Sequence, residues 1–417
     1  MSCSCNFGET LRYVSPGHGG WGLVRIGALI PESHLLFVSP FACGRHGAVG
    51  SVLNGIKDKA SFLYIDESDI VSGGYEDLIP EAVEELLDFL EKRPKVILIF
   101  VTCIDDLLGT DHVQLNQRLS KRFPDVKFLS CHMNPINENM KTPPAVSMQR
   151  DLYSLLEKAE EQVNAINFIG NHSAVSRDCE LYEIAQRNGY QMRHISDFER
   201  FEDYLTMAQS KYNLVLSPIA KFAAEQMQEK LGINYQLAYN TYDLDEIKAC
   251  YQTLGEALGL EIDVEPYEER AKQKLKEAAA LIGDYPIAID YQATKKPFTL
   301  ARVLLEYGFN VEFLLIDAVK KIERADYEYI TEHHKNIEIV NATHPDLVKH
   351  EYRGKKNYLC IGFDCAYATD SDKVLGILND EFLFGYYGVE KLMTDLMDTF
   401  VKETNVKEMI AEARLII

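Results

Sequence analysis

The chain has no apolar run approaching the roughly 18 to 20 residues that a membrane-spanning helix needs. Its first residues, MSCSCNFGET, have neither a basic start nor an apolar core, so no secretion signal is read there and a cytoplasmic protein is expected. Positive charge is scarce: 43 Lys and Arg face 64 Asp and Glu, for a formal net charge of −21. No Lys/Arg block offsets this, which argues against a nucleic-acid or anionic-membrane partner and leaves a basic partner surface or plain solubility. There is no C-x-x-C pair, no G-x-G-x-x-G opening a helix and no Walker A loop. Autonomous dinucleotide or ATP use is therefore unsupported, CGRHGAVG being the nearest and a weak approach.

What is present is a globular composition, 47% hydrophobic over 417 residues, which is too long for one core and implies two or three. Nine cysteines is an odd count, scattered without a small-domain disulfide pattern. In a reducing compartment such cysteines are free thiols or metal ligands. Cys179 and Cys250 lie in helix-like stretches and read as small apolar core residues.

Apolar runs alternate with helical periodicity. HLLFVS (34–39), KVILIFV (95–101) and VKFLSC (126–131) predict strands, and 76–93 and 113–123 predict helices. A second copy has strands at 164–170, 190–196, 212–218 and 233–240, with helices at 179–189 and 220–232. A third follows the charged helix EPYEERAKQKLKEAAALIGD, with strands YPIAIDY (285–291), FNVEFLLI, IEIVNAT and YLCIGFD (358–364), and a helix at 299–308. The C-terminal VEKLMTDLMDTFVKET predicts an amphipathic helix folding back onto an earlier domain. Strands alternating with helices predict parallel sheets, so the expected fold is α/β, three Rossmann-like parallel-sheet domains with a central cleft. The expected domains are 1–155, 156–282 and 283–417, with the Pro- and Asn-rich stretch 135–144 near the first boundary.

Cys43, Cys103 and Cys131 each follow a strand-like run, at the edge of a parallel sheet where ligands bind. If the strands are neighbours, the three sulfurs face one crevice, the arrangement an iron–sulfur cluster requires of thiolates distant in sequence. Gly44, Gly47 and Gly50 would let backbone N–H groups approach such a cluster. Buried structural thiols at strand ends explain the same positions, and both readings stand on spacing alone.

Weaker constellations are His172, Ser173, Ser176, Arg177 and Asp178 in a strand-to-helix loop, suited either to an anion or to helix capping. Lys295 and Lys296 occupy a loop that reads as solvated. Cys360 reads as core, and Cys365 beside Asp364 makes a poor metal site alone.

The order of motifs resembles the component 1 type subunits of the nitrogenase superfamily, which includes nitrogenase molybdenum–iron protein subunits and the dark-operative protochlorophyllide reductases. The resemblance spans essentially the whole chain. VSPFACGRHGAVG is similar to the family's strand and His/Gly-containing loop with a cluster cysteine, which implies Cys43 as a ligand. VTCIDDLLGTD is similar to its cysteine segment running into Ile-Gly-Asp-Asp, which implies Cys103 as a ligand, with Asp111 at the motif's end. SDIVSGGYEDLIPEAVEEL resembles the family's Asp-Ile-Val-Phe-Gly-Gly stretch, the most specific match. MQEKLGINYQ and the tail GYYGVEKLMTDL resemble its later segments.

The departures bear on function. The family's first cluster cysteine falls in a region that reads YVSPGHGGWGLVRIG here and contains none. Cys5 is the preferred substitute; Cys3, Cys131, His18 or a partner-subunit residue stay open. The residues matching the anchors of the nitrogenase cofactor are also absent, with Ala224 in place of a cysteine and no histidine in VLGILNDEFLF. No iron–molybdenum cofactor is therefore expected.

The resemblance implies an iron–sulfur cluster of the [4Fe–4S] type, fed with single low-potential electrons by an ATP-dependent iron–sulfur reductase homodimer. It also implies a homologous component 1 type subunit as partner, in a homo- or hetero-oligomer, and reduction of a small-molecule substrate that the sequence does not identify. His172 and Asp178 are proton-donor candidates by position alone. Two further readings are a metal-cluster assembly scaffold of the same fold and a cluster-free three-domain binding protein.

Overall fold

The computed structural model describes residues 11–15, 22–133, 142–402, 404, 406, 408 and 409. Cys3, Cys5 and His18, and most of the stretch 135–144, lie outside the described residues. The chain builds three sheets, of four, four and five strands, and every register described within them is parallel. It divides into two compact units. One draws on Gly19–Ala174 and Met192–Leu237 and carries the two four-stranded sheets; the other draws on Met1–His18, Val175–Gln191 and Ala238–Ile417 and carries the five-stranded one.

The first sheet runs β2-β1-β3-β4, with β1 (Ser33–Ser39), β2 (Ala60–Tyr64), β3 (Val96–Val101) and β4 (Lys127–His132). Its helices are α1 (Gly22–Gly27), α2 (Phe41–Leu53), α3 (Glu67–Ser72), α4 (Tyr75–Phe89), α5 (Cys103–Leu108), α6 (His112–Arg122) and α7 (Pro144–Ser154). β1 and β3 are buried at every position, as runs covered on both faces must be. Leu36, Val38, Ile97, Ile99 and Val101 point to one face and pack with Ile79 and Val83 of α4 and Leu115 and Leu119 of α6. The alternate residues point the other way, where Phe37 stacks between Phe62 and Phe100 with centroids 5.0 and 4.9 Å apart.

Two elements differ from the sequence reading. CGRHGAVG is not a loop but most of α2, because Gly44, Gly47 and Gly50 recur every third residue and make one bare, buried face. A Cβ on Gly47 would press on the Phe37 ring, and one on Gly44 would meet Tyr64 and Ser39. These two glycines let the helix lie close on the sheet rather than opening backbone towards a cluster. The helix read as 76–93 stops at Phe89, since Pro94 demands extended backbone ahead of β3.

The second sheet runs β6-β5-β7-β8, from β5 (Val163–Ile169), β6 (Gln191–Arg193), β7 (Ser210–Val215) and β8 (Asn234–Leu237). Its sequence stretch includes α8 (Glu180–Arg187), α9 (Phe201–Leu205) and α10 (Lys221–Leu231), and α8 belongs by its contacts to the other unit. Gly232 closes α10 with a left-handed φ of 74°.

The third sheet runs β11-β10-β9-β12-β13, preceded by α11 (Leu244–Leu258) and α12 (Glu265–Ile282). Its elements are β9 (Pro286–Asp290), α13 (Pro297–Glu306), β10 (Asn310–Ile316), α14 (Arg324–His333), β11 (Glu338–Asn341), β12 (Leu359–Ile361), α15 (Phe363–Thr369) and β13 (Lys373–Leu375). The last long helix, α16 (Gly385–Val401), packs along α12. No helix among the described residues is long and apolar enough to cross a membrane.

Candidate functional site

The carboxyl edge of the first sheet gathers the chemistry. β1 and β3 are direct parallel neighbours, Val38 opposite Val101, so the chain leaves both strands at the same end. After β1, Pro40 turns the chain into α2, and the Cys43 N–H closes the first turn onto the Pro40 carbonyl at 3.0 Å. After β3, Thr102 turns it directly into α5, whose first residue is Cys103. Both thiols are free, partly exposed and set in the first turn of a helix.

Cys131 does not join them. It lies inside β4 opposite Phe100, which shares a face with Phe37 rather than with Val101, and it is 2% exposed. Burial pushes its thiol well above the ordinary value, and the charge of Asp151 on α7 adds to this. Ser39 contributes instead: its hydroxyl is buried against Gly44, beside Cys43, and has no hydrogen-bond partner among the described residues.

Behind Cys103 lies a polar cluster that the sequence reading did not find. Asp105 is 4% exposed; its Oδ1 accepts from the Tyr75 hydroxyl and its Oδ2 from His112 Nε2, while Tyr75 also meets Thr110. Burial acts to raise the Asp105 carboxyl, but the hydrogen bonds from His112 and Tyr75 outweigh it and hold it below its ordinary value. His132, at the end of β4, stands edge-on to His112 with ring centroids 4.7 Å apart and donates from Nδ1 to Asp106 at 2.7 Å. Four elements, α4, α5, α6 and β4, supply these groups, and no local spacing announces them. Asp111, at the end of the cysteine motif, caps α6 by accepting from the Gln114 N–H at 3.0 Å. In SDIVSGG, Asp66 forms a capping box with Asp69 and Gly73 closes α3 with φ 70°, so the two glycines turn one helix into the next.

The remaining candidates lie elsewhere in the fold. Ser173 accepts from Arg25 Nη2 at 2.8 Å, and the Asp178 N–H bonds Ser176 Oγ at 3.3 Å. Lys296 is not in a solvated loop: its side chain is 10% exposed and its Nζ lies 2.7 Å from Glu246 Oε2. Burial lowers Lys295 as well, against the charges of Asp380 and Glu381. Cys360 is core within β12, as expected, and Cys365 is equally buried. Beside them Asp290 is raised to about 7 by burial and by the neighbouring Asp364.

Exposed apolar side chains flank the cysteine edge: Phe41 two residues before Cys43, Leu107 and Leu108 in the helix that Cys103 opens, and Val113 after it.

The fold of three parallel sheets has a counterpart among known proteins. The sequence model of the nitrogenase component 1 type oxidoreductases matches residues 22–401, and the chain belongs to that family. It is similar to the nitrogenase iron–molybdenum cofactor biosynthesis protein NifE of Clostridium pasteurianum, 21% identical over 260 residues that cover 61% of this chain and 55% of that protein. The match thus spans little more than half of that relative. It is also similar to the light-independent protochlorophyllide reductase subunit N of Chlorobium luteolum, 19% identical over 360 residues and 82% of each chain. Among solved structures, nitrogenase Cp1 at pH 6.5 superposes with a TM-score of 0.70 over 94% of this chain and 92% of that one, at 15% identity. The same protein at pH 5 gives 0.61 over 93% and 91%, at 14% identity. At these identities the superposition establishes the fold.

Proposed function

We propose that the chain is a subunit of a nitrogenase-like reductase whose Cys43 and Cys103 hold an iron–sulfur cluster. The observation that carries this is the placement of two free, partly exposed thiols in the first turns of helices leaving adjacent parallel strands. Soft thiolates suit iron, and the unpartnered Ser39 hydroxyl is available to a bound sulfur. Cys131 is left out of the ligand set because its buried thiol resists ionisation. Cys5, or a residue of a homologous subunit docked on the apolar rim of Phe41, Leu107 and Val113, completes it.

The cluster, probed first as [4Fe–4S], supplies one-electron transfer when bound. An ATP-dependent iron–sulfur reductase is its electron donor in this reading, and a small molecule is the substrate. The protein's own part is to hold the thiolates at the starts of α2 and α5.

Likeness to a cofactor biosynthesis protein favours a second reading, a scaffold that carries a metal cluster and passes it on. Anaerobic iron and sulfide analysis with electron paramagnetic resonance, on wild type, Cys43→Ala and Cys103→Ala, tests the site. Loss of iron in both variants supports it, and wild-type iron in both overturns it. Turnover with the reductase and ATP then separates reductase from scaffold, which loads and releases a cluster without consuming a substrate. A colourless protein, even after reconstitution, leaves the cluster-free binding protein.

A further inference from the structure

The cluster behind Cys103 has features that a buried ion pair alone does not account for. One donor atom each from Asp105, His112 and His132 falls within 4.8 Å of the others. Ligands at about 2.1 Å from a common tetrahedral ion stand roughly 3.4 Å apart, so rotations of the side chains by about an ångström close the three on one centre. An Asp–His hydrogen bond explains Asp105 and His112. It does not explain His132, which presents its ring edge-on to His112 while its other side is committed to Asp106.

The hydrogen-bond pattern prepares each ligand. A carboxylate can only accept, so His132 carries its proton on Nδ1 towards Asp106 and keeps a lone pair on Nε2. That carboxylate–imidazole pair is the support that metal-binding histidines ordinarily have. Tyr75 takes up Asp105 Oδ1 and so orients the carboxylate, while Oδ2 holds the His112 Nε2–H, a proton that a bound cation displaces. His112 Nδ1 is buried and has no hydrogen-bond partner among the described residues. Asp105 and Asp106, consecutive in α5, thus each engage one of the two histidines.

We propose that Asp105, His112 and His132 form a binding site for one divalent first-row transition cation, with Asp106 and Tyr75 holding the ligands in place. Two imidazoles and one carboxylate suit zinc, iron(II) or cobalt(II) and are poorly matched to calcium or magnesium, which take oxygen ligands. Three protein ligands leave at least one position for water or an exogenous ligand. His132 is 38% exposed and Asp105 4%, so that position opens on the solvent side. The site shares no ligand with the proposed cysteine site and stands or falls independently of it.

Cobalt(II) titration of the chelator-treated full chain, followed by visible absorption, is the test. The expected result is one equivalent with d–d bands and no sulfur-to-cobalt charge transfer in the Cys43→Ala/Cys103→Ala double variant, with the same d–d component present in the wild type. Binding should be lost in His132→Gln and weakened about ten- to a hundredfold in Asp106→Asn, which removes only the support. If His132→Gln fails to fold by circular dichroism, Asp106→Asn and zinc-induced stabilisation of the wild type carry the test. A folded wild type that takes up no cobalt, or cobalt that survives in both the His132 and Asp106 variants, overturns the proposal.

Discussion

Glu180 accepts the backbone N–H of Tyr386 on Oε1 at 2.7 Å, so a buried carboxylate from α8 caps the long C-terminal helix α16. Its Oε2 takes the Tyr387 N–H at 3.0 Å and its Oε1 also the Tyr251 hydroxyl at 2.6 Å. Three donors that would otherwise be buried and unpaired converge on one side chain.

Glu180→Ala should therefore cost about 3 kcal/mol in urea unfolding of this unit, a helix cap plus unsatisfied buried donors. Gly385→Ala should cost about 2 kcal/mol or more. Gly385 has φ 61°, and a Cβ there would fall on Glu180 Oε1 and the Tyr251 hydroxyl. Stability equal to wild type in both variants would dismiss this cap.

Cys131→Ala separates the two kinds of cysteine at the first sheet. With its thiol buried in β4, the variant should retain wild-type iron after anaerobic reconstitution and lose only about 1 kcal/mol of stability. Iron loss equal to that of Cys43→Ala would return Cys131 to the ligand set.

Glu323, 1% exposed, caps α13 by accepting the Phe298 N–H at 2.8 Å, while its Oε2 has no hydrogen-bond partner among the described residues. Burial raises its carboxyl from 4.5 to about 7. A carboxyl protonated more readily in the folded than in the unfolded chain stabilises fully below pH 4.5, and that contribution is lost as pH rises towards 7. Glu323→Gln, which stays neutral, should match wild type near pH 4 and exceed it at pH 8. Chemical denaturation at the two pH values checks this, and a difference independent of pH would contradict it.

Arg302 joins three carboxylates, with Nε 2.6 Å from Asp326, Nη1 2.9 Å from Glu306 and Nη2 2.5 Å from Asp243. Arg302 is 16% exposed, Asp243 17% and Asp326 15%, so truncation leaves two poorly solvated charges without their cation. Arg302→Met should cost about 3 kcal/mol, and Arg302→Lys should rescue little of it, because one ammonium cannot reach all three. Full rescue by lysine in thermal unfolding would show that charge alone suffices.

Of the described strands, all but β2 and β13 fall where the sequence reading places a strand. β1 and β3, buried at every position, are the most continuous of these apolar runs. β2 and β13 escaped because ASFLY is only half-buried and KVL is three residues long. α2 stands where the family resemblance gives a loop; three glycines carry low helix propensity, and the packing of that bare face on Phe37 overrides it.

The amino-acid pattern by itself determined the alternating α/β plan, the parallel sheets and the arrival of Cys43 and Cys103 at strand ends, since these follow from hydrophobic period and local chain direction. Only the tertiary structure decided which cysteines share an edge. A strand turns each successive side chain to the opposite face, so Cys131, inside β4 and level with Phe100, points away from the edge that its run seemed to reach. Only the fold, too, assembled Asp105, His112 and His132, because strand neighbours are fixed by sheet order and not by distance along the chain.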